Sequence, residues 1–329
     1  ARFEAERQAL ALMAHPNIAT VFDAGSTESG RPYFVMELVQ GLSVTSYCSR
    51  RRLTLRERLG LFIDVCKAVQ HAHQKGVIHR DLKPSNILVT NLHDAHLPKV
   101  IDFGIAKATL QNLTDLTMFT RFNQFVGTPA YMSPEQAEMN AMDVDTRSDV
   151  YSLGALLYEL VTGKPPFDPA VLANIGESEI RRIICEDDPP TPSTLLGSLS
   201  PVQHAQIANA FRQDPHKLTH TIKGDLDWIV VRAIEKDRTR RYGTALALAE
   251  DIERYLKDEA VTAGAPGVIY QWKKFAKRNR RAFTSIGLVM AALALGLAVA
   301  VWQATQARAS RRLAEAAFQS GLGKIRGSG

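Results

Sequence analysis

The chain has 329 residues, of which 45% are hydrophobic and 22% are charged, and it contains three cysteines. This composition is typical of a globular protein and excludes a disordered, collagen-like or disulfide-stapled chain. The cysteines Cys48, Cys66 and Cys185 are far apart and odd in number, which argues against a metal knuckle or a disulfide framework. The length allows about two domains or one large bilobed domain.

The formal net charge of +6 is concentrated near the C-terminus. Residues 273–281 contain six bases and no acid, and residues 304–329 carry a net +4. Removing both stretches leaves a net charge of −4 for the rest of the chain. A mildly acidic body argues against a nucleic-acid surface, so nucleic acid is not an expected partner.

The chain begins with a predicted amphipathic helix. Phe3, Leu10 and Met13 share one face of it, and Glu6 falls on the same apolar stripe. A carboxylate that points inward needs a cation or hydrogen-bond donors. The apolar run from Tyr33 to Leu38 then predicts a buried strand.

Two longer helices are predicted further along. The segment from Thr54 to Lys75 has an apolar stripe, a capping-box pattern formed by Thr54 and Glu57, and Gly76 as a stop signal. A second apolar stripe predicts a buried helix that begins near Val150 and ends at Gly163. Few strands are expected after Gly41, so the body should be mainly helical with a small N-terminal sheet.

Three short motifs lie between these two predicted helices. Residues 79–86 read H-R-D-L-K-P-S-N, residues 102–104 read D-F-G, and residues 133–135 read S-P-E. Residues 87–89 predict an apolar strand after the first motif, and residues 99–101 lead into the D-F-G motif. The three motifs occur in one order and at regular spacing, which a chance match rarely produces.

The stretch from Asp168 to Lys223 is long and rich in proline. We interpret it as an elaboration of the helical body that docks substrates or, alternatively, as a solvated insertion. The Gly- and Pro-containing segment 263–267 then predicts a linker between the body and the C-terminal part.

An uncharged apolar segment follows the linker. No residue between 282 and 307 is charged, and the 20 residues from Phe283 to Trp302 are long enough to span a hydrocarbon core of about 30 Å. The segment predicts a single transmembrane helix, although a buried core helix is the alternative. The six bases on its N-terminal side place the large body in the cytoplasm, because positive charge is retained on that side of a membrane.

The motifs at 79–86, 102–104 and 133–135 resemble those of eukaryotic-type protein kinases, with Ser133 in place of the usual Ala. The resemblance extends from about residue 1 to residue 256. With the membrane segment it resembles bacterial single-pass serine/threonine kinases. It implies an α+β, bilobal fold with a mainly helical C-lobe, most of the N-lobe sheet missing, and one C-terminal transmembrane helix. The expected domains are a partial N-lobe at 1–38, a C-lobe at 39–257, a basic linker at 258–282, a transmembrane helix at 283–303 and an extracytoplasmic stub at 304–329.

The resemblance implies phosphoryl transfer with ATP and Mg²⁺, or Mn²⁺, as cofactors. Asp81 would orient the substrate hydroxyl, and Lys83 would stabilise the transferred phosphoryl group. Asn86 and Asp102 would bind the metal, because carboxylate and amide oxygens are suitable ligands for Mg²⁺. Lys83 also favours Ser or Thr acceptors over Tyr, as does Thr128, which would contact Asp81 and Lys83.

Further cofactor-binding roles follow from the same resemblance. Glu6 corresponds to the glutamate of the family's C helix, whose partner is a lysine of the third strand. Met36 resembles the gatekeeper residue, and the backbone of Glu37 and Val39 would bond the adenine edge. A stack of side chains that forms in the active state would comprise Leu10, Val21, His79 and Phe103.

Other residues are expected to order the catalytic and activation segments. Asp149 would anchor the catalytic loop, and Glu135 and Arg241 would form a buried ion pair, unless Arg241 is only a surface charge. Arg80 indicates a kinase whose activation segment is ordered by phosphorylation. Thr120 is the preferred site of autophosphorylation, with Thr117 and Thr114 as alternatives.

One departure from the family pattern concerns ATP binding. No G-x-G-x-x-G motif occurs in the 329 residues, and no position corresponds to the strand-three lysine. Either the chain is truncated before the C helix, or it is a pseudokinase that serves as a binding scaffold; the intact motifs favour truncation. We therefore expect an active serine/threonine kinase as the parent protein and weak ATP binding by this chain. The expected partners are protein substrates, the lipid bilayer and a second copy for autophosphorylation.

Overall fold

The computed structural model describes residues 13–28, 32–92, 95–103, 129–138, 144–264, 267, 270, 290–291, 293–297, 299–304 and 306. The chain divides into two units, Ala1–Pro266 and Gly267–Gly329. The predicted first helix lies outside the described residues, and so do most of the activation segment and the linker. The predicted residues that fall there are Glu6, Leu10, Thr114, Thr117, Thr120 and Thr128.

The strands of the first unit form two small antiparallel sheets. Strands β1 (Val21–Ser26) and β2 (Pro32–Met36) pair with each other. Strands β3 (Leu42–Ser43), β4 (Ile87–Leu92) and β5 (Ala95–Val100) form the second sheet in the order β3-β4-β5. The predicted strand at 33–38 is therefore present, although it ends before residue 37, whose N–H donates to a carbonyl outside the strand.

The segment before β1 lies against β5. Ala19 donates its N–H to the Val100 carbonyl at 2.9 Å, and Val100 donates to the Asn17 carbonyl at 2.8 Å. The Asn17 side-chain amide also donates to the Pro98 carbonyl at 2.8 Å. These bonds connect the N-terminal part of the unit to the strand that leads into the D-F-G motif.

Helices are the commonest regular elements among the described residues of the first unit. In chain order they are α1 (Val44–Arg50), α2 (Leu55–Gln74), α3 (Pro134–Ala137), α4 (Thr146–Thr162), α5 (Pro169–Leu172), α6 (Glu177–Glu186), α7 (Pro192–Ser198), α8 (Pro201–Ala210), α9 (Pro215–Ile222), α10 (Asp225–Ala233) and α11 (Ala245–Leu256). Short 3₁₀ turns occur at Pro84–Asn86 and Pro129–Tyr131.

Helix α2 begins and ends where its sequence signals predict. The Thr54 side chain accepts from the Glu57 N–H, and the Glu57 carboxylate accepts from the Thr54 N–H at 2.7 Å, which together form a capping box. Gly76 follows the helix with a φ of +77°, a conformation that glycine adopts without strain. The predicted apolar stripe is buried, including Leu59 and Cys66. Burial raises the pKa of the Cys66 thiol, so this cysteine serves packing.

Helix α4 is buried almost throughout and lies at the centre of the helical body. It packs against α2, α10 and α11. At Gly154 a Cβ atom would lie 2.7 Å from the Ala233 Cβ, so only glycine permits the observed approach of α4 and α10. The helix ends at Gly163, whose φ is +77°, as its sequence predicts.

The long stretch between Asp168 and Lys223 folds as α5 to α9 and contributes to the main core. Leu196, Phe211 and Leu218 are at most 1% exposed and belong to the same apolar cluster as α2 and α4. The solvated-insertion interpretation of this stretch is therefore wrong. The buried apolar side chains between its prolines favour packing against the body.

Parts of the second unit are described, and they are helical at 290–291, 293–297 and 299–304. Their large apolar side chains are exposed, for example Leu295 at 68% and Trp302 at 62%. The rest of the predicted span 283–303 lies outside the described residues. In the part of the chain that the structure describes, no helix combines the length and the hydropathy needed to cross a bilayer.

Candidate active site

The residues of the H-R-D motif and of the following 3₁₀ turn form a hydrogen-bonded loop. The Lys83 ammonium lies 2.9 Å from the Asp81 carboxylate. The Asn86 side-chain amide donates to the Asp81 carbonyl at 2.8 Å and to its carboxylate at 3.2 Å. The loop therefore brings together the three side chains that the motif predicts, and the Asp81 and Lys83 side chains remain partly exposed, at 25% and 23%.

The paired strands β4 and β5 lie between this loop and the D-F-G motif. Ile101 donates its N–H to the Asn86 carbonyl at 2.9 Å, and Asp102 follows directly after it. Asp102 has a φ of +55°, a sparsely populated conformation for a non-glycine residue, and its side chain is exposed. The chain therefore turns at the end of the strand and presents a carboxylate to solvent beside the catalytic loop.

His79 lies at the centre of the site and is fully buried. Its Nε2 atom donates to the Ile101 carbonyl at 3.0 Å, and its Nδ1 atom accepts from the Asp81 N–H at 3.3 Å. Burial lowers the pKa of His79, so the ring is neutral and carries its proton on Nε2. The ring also contacts Phe103, with the two centroids 4.7 Å apart. The two rings are in contact and tilted by 47° to each other.

Asp149 anchors the catalytic loop from the first turn of α4. Its buried carboxylate accepts from the N–H groups of His79 and Arg80, both at 2.8 Å. It also accepts from His73 Nε2 at 2.7 Å. Arg80 has a φ of +66°, and the Asp149 hydrogen bond helps to hold this conformation. Sequence reasoning predicted the Asp149 anchor but missed His73, which lies on the last turn of α2.

The donor set of the site fits a divalent metal ion. The Asn86 amide nitrogen is directed at Asp81, so its oxygen is the atom available as a ligand. Together with the exposed Asp102 carboxylate it offers two oxygen ligands, and Mg²⁺ in phosphoryl-transfer sites takes few protein ligands besides phosphates and water. Among the described residues there is no group of three or more His, Cys, Asp or Glu side chains that could hold a metal by themselves.

The segment after β2 contains the residues expected to contact adenine. Glu37 donates its N–H to the Thr20 carbonyl at 2.8 Å, which leaves the Glu37 carbonyl as the group able to bond a base. Its carboxylate forms an ion pair with Lys99 at 2.7 Å. The Lys99 hydrogen bond lowers the pKa of Glu37. Met36 and Val39 are half-buried on either side of Glu37. The Lys99 contact joins this segment to β5 and was not predicted, because the two residues are 62 positions apart.

A buried ion pair joins Glu135, at the start of α3, to Arg241. The Glu135 carboxylate accepts two hydrogen bonds from the Arg241 guanidinium, at 2.8 and 2.9 Å, and one from the Ser148 hydroxyl at 2.6 Å. Burial would raise the pKa of Glu135, but the Arg241 hydrogen bonds and charge lower it below its ordinary value. Arg241 is 3% exposed, so it is a buried cation and the surface-charge alternative is excluded. Ser148 was not predicted.

Comparison with known proteins identifies the class of protein. The family model described as protein kinase domain matches residues 1–251. The probable serine/threonine-protein kinase PknB of Corynebacterium glutamicum is 34% identical over 268 residues, which cover 80% of this chain and 36% of the relative. The serine/threonine-protein kinase PknB of Mycobacterium leprae is 35% identical over 257 residues, which cover 77% of this chain and 35% of the relative. The chain thus spans about a third of the length of these curated relatives.

Solved structures show the same fold. The crystal structure of the Mycobacterium tuberculosis PknI kinase domain matches with a TM-score of 0.51 and 24% identity, covering 77% of this chain and 78% of that chain. The chain therefore belongs to the protein kinase family, a family that generally uses ATP and Mg²⁺. The predicted kinase-like fold with a helical C-lobe and few N-lobe strands is confirmed.

Proposed function

We propose that the chain carries the catalytic machinery of a protein serine/threonine kinase, which transfers the γ-phosphate of ATP to Ser and Thr hydroxyls of protein substrates. The observation that carries this proposal is the loop in which Asp81, Lys83 and Asn86 are joined by hydrogen bonds and an ion pair. A loop of this kind holds an acid, a cation and an amide oxygen within a few ångströms, which is the arrangement that in-line phosphoryl transfer needs.

Each of these residues has a defined role in the reaction. The Asp81 carboxylate accepts a hydrogen bond from the attacking hydroxyl and orients its oxygen toward the phosphorus. The Lys83 ammonium neutralises negative charge on the transferred group and on Asp81. Asn86 and Asp102 would hold Mg²⁺, which would supply positive charge beside the triphosphate.

The surrounding residues keep this arrangement in place. Asp149 and His79 hold the catalytic loop through buried hydrogen bonds, and the Glu135–Arg241 ion pair holds the end of the activation segment. We assign adenine contacts to the backbone of Glu37 and Val39 beside the gatekeeper Met36. The Glu37 N–H is already bonded to the Thr20 carbonyl, so the Glu37 carbonyl is the group assigned to the base.

Phosphorylation of the activation segment is proposed as the step that activates the kinase. Arg80 lies beside the catalytic Asp81, and its buried Nε atom has no hydrogen-bond partner among the described residues. A phosphate on Thr120, or on Thr117 or Thr114, would supply charged acceptors for such a guanidinium. A second copy of the chain would deliver this phosphate by autophosphorylation, and Thr128 would contact Asp81 and Lys83 when substrate is bound.

We also propose that residues 283–303 anchor the protein in the cell membrane, with the kinase domain in the cytoplasm and the lipid bilayer as a partner. The segment is uncharged and apolar, and its described helical parts expose large apolar side chains. The six bases at 273–281 favour a cytoplasmic body. A reporter fused after residue 329 would test the topology: an extracytoplasmic signal is expected, and a cytoplasmic one would contradict it.

Substitution of Asp81 tests the proposed activity. Asp81→Asn in the full-length protein should abolish phosphate transfer from labelled ATP to Ser or Thr of an acceptor protein, and Asp188→Asn, whose side chain is exposed away from the catalytic loop, serves as the matched control. The second candidate is a binding scaffold without catalysis, which the same variants test. That candidate predicts no phosphate transfer by the unmodified protein and partner binding that Asp81→Asn leaves unchanged.

A further inference from the structure

Gln136 connects the end of the activation segment to the catalytic loop. Its side-chain nitrogen Nε2 donates to the Arg80 carbonyl at 2.7 Å. Its side-chain oxygen Oε1 accepts from the Ser133 N–H at 3.2 Å and from the Ser133 hydroxyl at 3.0 Å. Gln136 is half-buried and Ser133 is fully buried, so these bonds are largely protected from water.

The orientation of the Gln136 amide is determined by its neighbours. A backbone N–H can only donate and a backbone carbonyl can only accept. The amide oxygen must therefore face Ser133 and the amide nitrogen must face Arg80. The Ser133 hydroxyl adds a second donor on the oxygen side, which an alanine at this position would lack. This gives a physical reason for the serine that replaces the usual Ala in the S-P-E motif.

The carbonyl that Gln136 binds belongs to the peptide unit between Arg80 and Asp81. Arg80 has a φ of +66°, which is unfavourable for a non-glycine residue. The Asp149 carboxylate holds the Arg80 N–H at 2.8 Å, and Gln136 holds its carbonyl. The residue before Asp81 is thus held on both sides, and the direction of the Asp81 backbone depends on both bonds.

We propose that Gln136 is a positioning residue, oriented by Ser133, that fixes the backbone of Asp81 for phosphate transfer. The inference rests on the proposed kinase function, because positioning matters only if Asp81 acts in catalysis. A carboxylate at this position keeps the acceptor for Ser133 but cannot donate to the Arg80 carbonyl. Gln136→Glu therefore removes the proposed function of the side chain with little change of shape.

The test compares Gln136→Glu with Gln206→Glu in the full-length protein. Gln206 is exposed on α8, so its substitution makes the same chemical change away from the site. Gln136→Glu should lower kcat about tenfold while KM for ATP changes less than about twofold, as expected for the loss of one hydrogen bond that orders a catalytic group. Ser133→Ala should lower kcat by a smaller factor, and Gln206→Glu should match the unmodified protein.

Hydrogen exchange of the backbone amides at 79–83 gives a readout that does not require activity. Exchange should be faster in Gln136→Glu than in Gln206→Glu, whether or not the unmodified protein transfers phosphate. A lack of phosphate transfer by the unmodified protein would refute the kinase proposal but not the positioning role. Unchanged exchange and unchanged kcat in Gln136→Glu would overturn the positioning role. A rise in KM together with a lower melting temperature and no separate loss of kcat would also overturn it, because that pattern indicates a structural role only.

Discussion

Replacement of Glu135 by Gln tests the buried ion pair with Arg241. The Glu135 side chain is 8% exposed and that of Arg241 is 0% exposed, and two hydrogen bonds of 2.8 and 2.9 Å join them. Glutamine keeps the shape of the side chain but removes its charge, and it leaves one acceptor oxygen for the guanidinium. Removal of one partner from a buried ion pair costs about 3 to 5 kcal/mol.

The expected loss lies at the lower end of that range, at about 3 kcal/mol, because Arg241 retains other acceptors. Its guanidinium also donates to the backbone carbonyls of Glu235 at 2.6 Å, Arg147 at 3.0 Å and Lys236 at 3.0 Å. These carbonyls solvate part of the charge that Glu135→Gln leaves uncompensated. The remaining cost comes from the lost charge pairing and from an amide nitrogen placed beside a guanidinium or a hydroxyl donor.

Urea denaturation followed by tryptophan fluorescence at pH 7 measures this loss. Glu253→Gln is the matched control, because Glu253 pairs with Lys67 at the surface, where the side chains are 33% and 46% exposed. The control should lose at most about 1 kcal/mol. A loss of less than about 1 kcal/mol for Glu135→Gln would refute the assignment of a stabilising buried pair.

The stability difference between Glu135→Gln and the unmodified protein depends on pH, in a direction set by the pKa shift of Glu135. Interaction with Arg241 holds the pKa of Glu135 below its ordinary value of 4.5, although burial opposes this. A lowered pKa in the folded state gives stability that is present above the ordinary value and is lost as the pH falls through the lowered one. The Glu135→Gln variant and the unmodified protein should therefore converge only below pH 4.5. A difference that disappears near neutral pH would contradict this reasoning.

Two further predictions concern the helical body. Asp149→Asn should lower the free energy of unfolding in urea by about 3 kcal/mol, because an amide offers one acceptor oxygen where three N–H donors converge; a loss below about 1 kcal/mol would contradict the anchoring role. Gly154→Ala should destabilise the domain by about 1 to 3 kcal/mol, because its Cβ would meet another side chain at 2.7 Å. Gly60→Ala, whose Cβ meets nothing within 4 Å, should instead stabilise it by up to about 1 kcal/mol, and equal thermal shifts for the two variants would contradict the packing described for α4.

The catalytic loop could be predicted from the sequence because its residues are close together in the chain. Asp81, Lys83 and Asn86 lie within one loop, so the motif determines most of their contacts. Contacts between distant segments could not be predicted in this way. The Lys99–Glu37 ion pair and the Gln136–Arg80 hydrogen bond depend on how strands and helices pack, and no local pattern specifies them.

Helix α2 was predicted with nearly correct ends because its cap and apolar stripe agree. For α4 the end at Gly163 was predicted, but the helix begins at Thr146, before the predicted start near Val150. The helices α5 to α9 were not predicted individually, because the stretch was interpreted only as an elaboration of the helical body or as a solvated insertion. A signal for them was present in the sequence. Proline stands directly after an Asp, Thr or Ser cap at each of four helix starts, which is the position where proline is favoured. These four starts are at Pro169, Pro192, Pro201 and Pro215.

The most direct test of the central claim is phosphate transfer by the full-length protein with Mg²⁺ and labelled ATP. We expect label on Ser or Thr of an acceptor protein and its loss in Asp81→Asn, because Asp81 orients the attacking hydroxyl. The variant should keep its fold, since the Asp81 side chain is 25% exposed and isosteric with asparagine. Transfer that persists unchanged in Asp81→Asn, or label found on tyrosine alone, would contradict the account.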